Sequence, residues 1–481
     1  GQQRLFGARD RFGIKPFYYS EAGGHLHFAS ELKCLLPIPG LSREVDPESV
    51  YHYLSLQFVP PPATILRQVR KLPAGHCFTY ELRARHLAIR RWYALFPRPA
   101  AGPVLPAEEL HASLRAGLSA AIRRWTLSDV PIAISLSGGL DSSLLVALLA
   151  ASGYAPLRTY SLGFTEDQAE DELALARQVA ERYGTQHHEI RLEAGKLLDD
   201  LERLVWHLDE PYGGGLPSWY VYEFIGRDCK VALTGTGGDE CFGNYGKFRR
   251  HLRPWWQRLG VLTRDGLAEG PGALGAAWRW PEGQRFHQYL SDSARRRHWW
   301  RGEQPSHWPA TAERLEALWR AAKPGDARDG VAAVDFQWQL PEEFLLVTDR
   351  FAMAHAVEAR TPFLDHEFVE QVFSLPAAVR SPVGDPKGLL RAVGGDLLPA
   401  ALRQAPKRGF TLPLRAWTRG PLAPQLRDLL SPSALAATPW LQPSLWERVV
   451  LPHLEGRRDA TQQVWTLFML QLWLKQHQAG G

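Results

Sequence analysis

The sequence is poor in cysteine and contains no long apolar run. Four cysteines occur in 481 residues, and no two of them are spaced as C-x-x-C. This scarcity argues against a disulfide-stabilised scaffold, a zinc ribbon and a thiol-relay enzyme, and it predicts a reducing, cytoplasmic compartment. The longest apolar stretches, such as 144–151, are far shorter than the roughly 20 residues that span a bilayer. We therefore expect no membrane segment.

Concentrated charge of one sign is also missing. The formal net charge is +5 and the isoelectric point is near 9.0, but the basic residues, mostly arginine, are scattered along the chain with only short clusters such as 295–297. Nucleic-acid binding usually needs a concentrated basic face, so we expect no nucleic-acid partner. A modest positive field suits small anionic substrates. With 45% hydrophobic residues, the chain can build two or three ordinary domains.

The most informative segment is 132–143, where an apolar run ends in a glycine turn. Ser137-Gly138-Gly139 is followed by Asp141, Ser142 and Ser143, and then by a helix-forming stretch. The N–H groups of such a turn and of the helix start face one point, which favours a phosphate group. No Lys-Ser/Thr follows a second glycine, so the loop is not of the Walker type. A plain strand–turn–helix joint would not need these residues together.

Strands and helices alternate from residue 107 onward. Helices are predicted over 107–125, 171–183, 196–208 and 218–228, and strands over 157–164, 188–192 and 231–234, in addition to the strand before the glycine turn. This alternation predicts a parallel, doubly wound sheet, in which ligands bind beyond the carboxyl ends of the strands. We therefore expect the loops at 137–143, 163–172 and 234–240 to converge.

The first part of the chain shows a different pattern of predicted elements. Short β-like runs occupy residues 4–29, a helix is predicted over 47–58, and a strand pair ends near Tyr93, before a stretch at 94–106 that is rich in proline, alanine and glycine. A linker of this kind predicts two domains, 1–97 and 107–481.

Tryptophan and arginine are concentrated later in the chain. Eight of the eighteen tryptophans fall between Trp255 and Trp319. We interpret 249–330 as an irregular helical insertion that supplies packed core and cover, with a membrane-surface or partner patch as the alternative. From residue 331 to the end we predict mostly helix.

A second glycine-rich turn follows a strand at 231–240. It reads Thr234-Gly235-Thr236-Gly237-Gly238-Asp239-Glu240, and glycines of this kind let backbone approach a ligand closely. Three further charged blocks lie at 349–365, 386–391 and 406–410. Taken singly, a charged residue in any of these blocks is more often a surface or capping group than a catalyst.

Together the five blocks resemble asparagine synthetase of the glutamine-hydrolysing type, and the loop at 137–143 resembles the PP-loop of the ATP pyrophosphatases. The resemblance runs from about residue 4 to residue 477. Residues 7–16 and 72–76 resemble the rear portion of the family's class II glutaminase domain. The resemblance implies an α/β, doubly wound parallel-sheet PP-loop ATP pyrophosphatase (adenine nucleotide α-hydrolase-like) domain with a helical C-terminal part, preceded by a partial α+β N-terminal-nucleophile glutaminase domain.

The resemblance also implies a reaction. ATP adenylates the side-chain carboxylate of aspartate and releases pyrophosphate, after which ammonia derived from glutamine attacks the acyl-adenylate. The implied ligands are ATP, Mg²⁺, aspartate or a related carboxylate, and glutamine or ammonia, and the protein could form a homodimer.

By resemblance, individual residues take roles in this reaction. The residues that would cradle pyrophosphate are Ser137, Gly138, Gly139, Ser142 and Ser143. The residues that match adenosine contacts are Leu136, Leu162, Thr234 and Gly235. Asp141 and Asp239 would bind Mg²⁺. Lys387 and Lys407 match lysines that neutralise pyrophosphate and the transition state. Glu358 matches a glutamate that, in related lactam-forming enzymes, pairs with a general base.

The chain departs from the family in two respects. The family's N-terminal cysteine nucleophile is absent, so we expect a fragment of a longer protein that does not itself hydrolyse glutamine. Thr236 stands where the family carries an acid that forms the aspartyl-adenylate, and threonine cannot act as a base at its ordinary pKa. In addition, 213–215 are glycines where acidic or hydroxyl residues are common. By the resemblance, Thr236 and the glycines at 213–215 both fall in the amino-acid pocket.

Three alternatives to an aspartate-specific enzyme therefore stay open. The first is a tailoring enzyme that acts on another carboxylate, such as a peptide cyclase or a cell-surface sugar amidotransferase. The second is a non-catalytic scaffold, which the intact loop and lysines argue against. The third is a tRNA-modifying PP-loop enzyme, which the lack of paired cysteines and of a concentrated basic surface disfavours.

Overall fold

The structure is a computed structural model. It describes residues 3–98, 102, 104–165, 170–243, 288–303, 305, 307–382, 384–385, 387–404 and 412–479.

Two small antiparallel sheets occupy the N-terminal region. The first has the order β1-β5-β6 and the second the order β3-β2-β4. The strands are β1 (Arg4–Ala8), β2 (Tyr18–Ser20), β3 (His27–Ala29), β4 (Arg70–Lys71), β5 (His76–Glu81) and β6 (His86–Arg91). The β-like runs predicted over residues 4–29 thus form the strands β1, β2 and β3.

Helix α1 (Pro47–Leu56) connects the strands of the second sheet. Its start follows from local chemistry, because the Asp46 side chain accepts a hydrogen bond from the Ser49 N–H and a proline occupies the first helical position. The helix ends at Gln57, whose φ of 69° lies in the left-handed region. A residue in that region ends the helix.

A parallel sheet forms the centre of the rest of the chain, as the sequence predicted, and it has five strands where the sequence predicted four. Its order is β11-β10-β7-β8-β9. The strands are β7 (Ile132–Ser135), β8 (Arg158–Phe164), β9 (Gln186–Leu192), β10 (Val231–Leu233) and β11 (Glu358–Arg360). Helix α2 (Ala107–Trp125) precedes the sheet. The helices between its strands include α3 (Leu140–Ala151), α4 (Glu170–Tyr183), α5 (Ala194–Leu208), α6 (Ser218–Ile225) and α7 (Gly238–Phe242). The chain runs outward from β7 to β9 and then returns to the other side of β7, so a topological switch point lies between β7 and β10.

Burial explains why these segments form central elements. Two apolar clusters contain the buried side chains of the sheet and its helices. The strands β7 and β10 are apolar along most of their length, as expected for parallel strands that are buried on both faces. Helix α3 is almost entirely buried, which matches its run of leucine, valine and alanine.

The C-terminal part is mostly helical, with one exception. Its described helices are Asp292–His298, Thr311–Ala322, Ala327–Val334, Leu346–Ala354, His366–Phe373, Ala377–Arg380, Gly388–Gly394, Ala400–Gln404, Leu414–Arg419, Ala423–Leu429, Pro432–Ala437, Leu451–Leu454 and Thr461–Ala479, with π-helices at Asp335–Leu345 and Trp446–Val450 and short 3₁₀ turns at Pro362–Leu364 and Gly395–Leu397. A further 3₁₀ turn, Leu32–Leu35, lies in the N-terminal region. The exception is β11, which the sequence did not predict. Only Ala359 of its three residues is buried, so the strand carries no alternating apolar pattern.

The described part of the tryptophan-rich region packs against the N-terminal region. Trp300 contacts Tyr51 of α1, with ring centroids 5.5 Å apart, and the buried Arg295 donates a 2.7 Å hydrogen bond to the Tyr51 carbonyl. This agrees with packed cover for residues 288–303, whereas 249–287 lie outside the described residues. Among the described helices, none is both long and apolar enough to cross a membrane.

Candidate functional site

A cavity of about 1160 Å³ opens at the carboxyl ends of β7 and β10. The glycine-rich loops after these two strands line it, together with Lys387 and residues from α4. The two loops are neighbours because β7 and β10 are adjacent in the sheet. The predicted convergence of 137–143 and 234–240 is therefore found in the structure, at the switch point where a doubly wound sheet binds its ligand.

The loop after β7 is shaped by its own serines and by Gly138. Ser142 Oγ accepts a 3.2 Å hydrogen bond from the Ser137 N–H and donates to the Gly139 carbonyl at 3.3 Å. Gly138 has a φ of 72°, and a Cβ there would collide with the backbone carbonyl of Glu172. Only glycine fits this position. Because Gly138 has no side chain, the start of α4 can pack against the turn.

The loop after β10 packs directly on the first loop through two glycines. A Cβ on Gly235 would lie 2.8 Å from Cβ of Asp141, and a Cβ on Gly238 would lie 2.7 Å from Cγ of Asp141. Within the second loop, the Thr236 N–H donates to Thr234 Oγ1 at 3.0 Å, and the two threonine hydroxyls are 2.7 Å apart. The absence of side chains at 235 and 238 thus allows Asp141 to sit between the loops.

Lys387 joins the two loops by charge. Its ammonium contacts Oδ2 of Asp141 and lies 2.6 Å from Oδ1 of Asp239, and its side chain is only 4% exposed. Burial alone would lower the pKa of Lys387, but the two carboxylates outweigh it and raise the pKa above its usual range. Lys387 therefore keeps its positive charge at the centre of the site.

The two aspartates fit a magnesium–nucleotide complex. Their carboxylates reach one common cation, here the ammonium of Lys387. Within the described ranges, no group of three or more His, Cys, Asp or Glu side chains could hold a metal ion. Mg²⁺ is typically held by one or two carboxylates plus water and phosphate oxygens, so two aspartates beside a phosphate loop suit it.

Several residues named from the sequence do not line this cavity. Leu136 and Leu162 are buried in the two apolar clusters, and Ser143 is fully buried beneath its loop. Glu358 pairs with Val231 at the amino end of the sheet, away from the loops. Its carboxylate accepts hydrogen bonds from Arg360, which lower the pKa of Glu358. Lys407 lies outside the described residues.

The cavity has a second side, which we call the polar wall and define as Gln57, Tyr212, Glu343 and Gln462. Of its segments, the sequence indicated only the one that carries the glycines at 213–215. Gln57 comes from the end of α1 and is 1% exposed. Its amide donates to Gln462 Oε1 at 3.1 Å and to Thr466 Oγ1 at 2.8 Å. The wall is assembled from four distant segments, so no local motif could have revealed it.

Two of the glycines at 213–215 pack against residues of the polar wall. The Gly213 N–H donates to the Gln57 carbonyl at 2.9 Å, and a Cβ on Gly213 would lie 2.9 Å from Cβ of Gln57. A Cβ on Gly214 would overlap the phenol ring of Tyr212. The glycines at 213 and 214 therefore make room for the side chains of Gln57 and Tyr212. The third member of the wall, Glu343, lies on the π-helix Asp335–Leu345, where its carboxylate accepts a 2.6 Å hydrogen bond from the Gln339 amide.

A parallel sheet with a glycine-rich phosphate loop at its switch point and an acidic pair beside it defines a nucleotide-using α/β enzyme. Residues 113–475 match the family model described as "Asparagine synthase", and residues 1–93 match the model described as "Glutamine amidotransferase domain". The chain belongs to the asparagine synthase family. This membership supports ATP-dependent amide synthesis on small-molecule substrates.

Three relatives illustrate the range of this similarity. "Asparagine synthetase [glutamine-hydrolyzing] 1" of Bacillus subtilis is 26% identical over 98% of this chain and 75% of its own length. "Putative asparagine synthetase [glutamine-hydrolyzing]" of Mycobacterium tuberculosis is 31% identical over 98% of this chain and 74% of its own length. "Amidase chyE" of Penicillium rubens is 26% identical over 89% of this chain and 70% of its own length.

Proposed function

We propose that the chain forms an amide from a carboxylate and ammonia while cleaving ATP to AMP and pyrophosphate, with aspartate as the first candidate carboxylate and glutamine as the source of the ammonia. One observation carries the proposal: Lys387 is held between Asp141 and Asp239 where two glycine loops meet. A buried positive charge and two carboxylates, which we propose as metal ligands, thus lie beside a loop suited to phosphate.

The proposed chemistry assigns a task to each group. A carboxylate oxygen of the acceptor attacks the α-phosphorus of ATP and pyrophosphate leaves; ammonia then attacks the acyl carbon and AMP leaves. When bound to Asp141 and Asp239, Mg²⁺ would neutralise phosphate charge. Lys387 is charged and almost fully buried, so it would stabilise negative charge that develops on the phosphates. We extend this role to Lys407 from the resemblance, but not to Glu358, which lies at the other end of the sheet.

The test is loss of pyrophosphate release in Asp141→Ala with ATP, Mg²⁺, ammonia and aspartate. We expect turnover to fall by roughly 1000-fold or more, because the variant removes a proposed metal ligand and the partner of Lys387. Asp396→Ala, at a fully exposed position, is the matched control and should retain activity. Normal turnover in Asp141→Ala would refute the assignment.

A second candidate is the same chemistry on a different carboxylate. Thr236 lines the cavity where the family carries an acid, and its hydroxyl is paired with Thr234 at 2.7 Å. One relative of the chain is named an amidase rather than an asparagine synthetase. Candidate acceptors are a peptide carboxylate, as in a cyclase, and a sugar carboxylate.

Thr236→Glu separates the two candidates. If the variant creates or strongly raises aspartate-dependent pyrophosphate release, aspartate is not the native acceptor. If aspartate already supports turnover in the wild type and the variant adds nothing, the first candidate stands. Thr236→Gln, which has similar size without charge, is the control.

We also propose that the two matched regions are two domains, 1–97 and 107–481, joined by the segment between them. The family-model boundaries at residues 93 and 113 support this division. A homodimer and a cytoplasmic location stay predictions.

A further inference from the structure

Buried charges lie behind the polar wall, where the N-terminal region meets the rest of the chain. Lys71 Nζ lies 2.9 Å from Glu210 Oε2 and 2.8 Å from Glu342 Oε2, and it donates to the Val59 carbonyl at 2.8 Å. Arg9 Nη1 lies 3.6 Å from Glu342 Oε1. We call Arg9, Lys71, Glu210 and Glu342 the buried ion cluster, since none of the four side chains is more than 5% exposed.

The buried ion cluster contains two basic and two acidic side chains, so it is balanced in charge. Glu210 also accepts hydrogen bonds from the Ile65 N–H at 2.8 Å and from the Tyr18 hydroxyl at 3.3 Å. Burial alone would lower the pKa of Lys71, but the negative charges of Glu210 and Glu342 outweigh it and raise the pKa. Lys71 therefore stays charged. Removing one member of such a cluster is strongly destabilising, because an uncompensated buried charge remains.

Each carboxylate of the cluster lies next to a segment of the polar wall. Glu210 begins the turn that carries Tyr212 into the cavity, and Glu342 directly precedes Glu343 on the π-helix. Lys71, by contrast, lies on β4, inside the region that matches the glutamine amidotransferase model. Lys71 of the first region thus contacts a residue next to each of two wall segments of the second region, the one with Tyr212 and the one with Glu343.

We propose that Lys71 is a positioning residue for the polar wall, so that binding of the carboxylate acceptor depends on a side chain of the N-terminal region. The statement about the acceptor rests on the proposed function. We call the contacts of Lys71 with Glu210 and Glu342 the Lys71 clamp. The clamp does not depend on the proposed function. Because these contacts do not involve the loops at 137–143 and 234–240, ATP binding should be independent of Lys71.

Hydrogen exchange in the full chain tests the clamp without any assumption about activity. In Lys71→Met, we expect amide exchange to rise at least roughly tenfold in both 212–215 and 339–345, while 137–143 is unchanged. Lys15→Met is the matched control: Lys15 also bridges the two regions, 2.7 Å from Asp349 Oδ1, but it is half-exposed and touches no residue of the wall. Equal protection of both wall segments in Lys71→Met and wild type would overturn the proposal.

Two milder variants keep the clamp testable if Lys71→Met does not fold. Glu210→Gln should raise exchange mainly in 212–215, and Glu342→Gln mainly in 339–345, because each removes one arm of the clamp. A uniform rise across the chain in both variants would indicate general destabilisation and would contradict a positioning role.

Steady-state kinetics and calorimetry separate this proposal from the proposed function. With aspartate as the probe, Lys71→Met should raise KM for aspartate by roughly tenfold, while kcat and the calorimetric affinity for ATP change by less than about threefold. A loss in kcat alone would contradict positioning of the acceptor. If the wild type shows no aspartate-dependent turnover, the aspartate assignment fails, and the exchange experiment still decides whether Lys71 clamps the wall.

Discussion

The two sides of the cavity are held together by different interactions. On the loop side, charge crosses the gap between segments, since Lys387 contacts both Asp141 and Asp239. On the polar wall, side-chain amides make the contacts: Gln57 donates to Gln462, and Gln339 donates to the Glu343 carboxylate. The buried ion cluster around Lys71 lies behind the wall. The loop side therefore offers ionic contacts that a charged ligand can replace, whereas the wall offers mainly hydrogen-bonding groups.

The largest effect should come from forcing the two loops apart. In Gly235→Val the new Cβ would lie 2.8 Å from Cβ of Asp141, so the loops cannot keep their contact. We expect pyrophosphate release to fall by roughly 1000-fold, which corresponds to about 4 kcal/mol of transition-state stabilisation. ATP affinity by calorimetry should fall with it.

The control for this prediction is Gly325→Val, at a position where a Cβ meets no atom within 4 Å. It should leave turnover and ATP affinity near their wild-type values. Turnover in Gly235→Val within a few-fold of wild type would mean that contact between the loops is not needed.

Removing the shared charge of the loop side should have the next largest effect. Lys387→Met leaves two aspartates without their common ammonium, and we expect turnover to fall by roughly 100-fold, as when one preorganised donor is removed from an active site. Lys387→Arg keeps the charge and should recover part of the loss. Similar turnover in the Met and Arg variants would show that charge is not what matters at position 387.

A smaller effect is expected on the wall side. In Gly213→Ala the added Cβ would lie 2.9 Å from Cβ of Gln57, an overpacking that costs about 1–3 kcal/mol. We expect KM for the acceptor to rise by roughly tenfold and ATP affinity to stay constant. Gly215→Ala meets its nearest neighbour at 3.3 Å and should be milder. A fall in ATP affinity in Gly213→Ala would show that the two sides are not separate.

The smallest effect concerns pH and lies outside both sides of the cavity. Burial lowers the pKa of His355 to about 4, beside Trp219 at a ring distance of 4.3 Å. In the unfolded chain the pKa is about 6.5. The unfolded state therefore binds the proton first, and the stability contributed by the neutral imidazole is lost as pH falls from about 6.5 to about 4.

Urea unfolding at a neutral and a mildly acidic pH checks this prediction. His355→Gln should lose less unfolding free energy between the two values than the wild type, because glutamine does not titrate in this window. The same loss in both proteins would show that other groups cause the acid sensitivity.

The loop side of the cavity could be predicted from the sequence, because its residues are contiguous. The strand, the glycines and Asp141 stand together in a dozen residues, and alternating strands and helices predicted the parallel sheet that brings the two loops together. The polar wall could not be predicted, since Gln57 and Gln462 are separated by most of the chain and meet only through tertiary packing.

Strand β11 marks a second limit of prediction from sequence. Its charged ends and single buried alanine give no strand pattern, and only the pairing with β10 shows that Glu358 lies at the amino end of the sheet. Likewise, the resemblance named Leu136 and Leu162 without indicating that their side chains would be buried in the core.

Gln57 and Lys71 belong to the first region but contact residues of the second region, and this has a consequence for protein engineering. Cutting or recombining the gene near residue 100 looks safe by the family-model boundaries, which fall at 93 and 113. Such a cut would remove part of a cavity wall and would leave Glu210 and Glu342 without the lysine that neutralises them. Chimeras that exchange the first region between relatives should therefore carry over position 71 and the end of α1 as a matched set with the turn at 209–215.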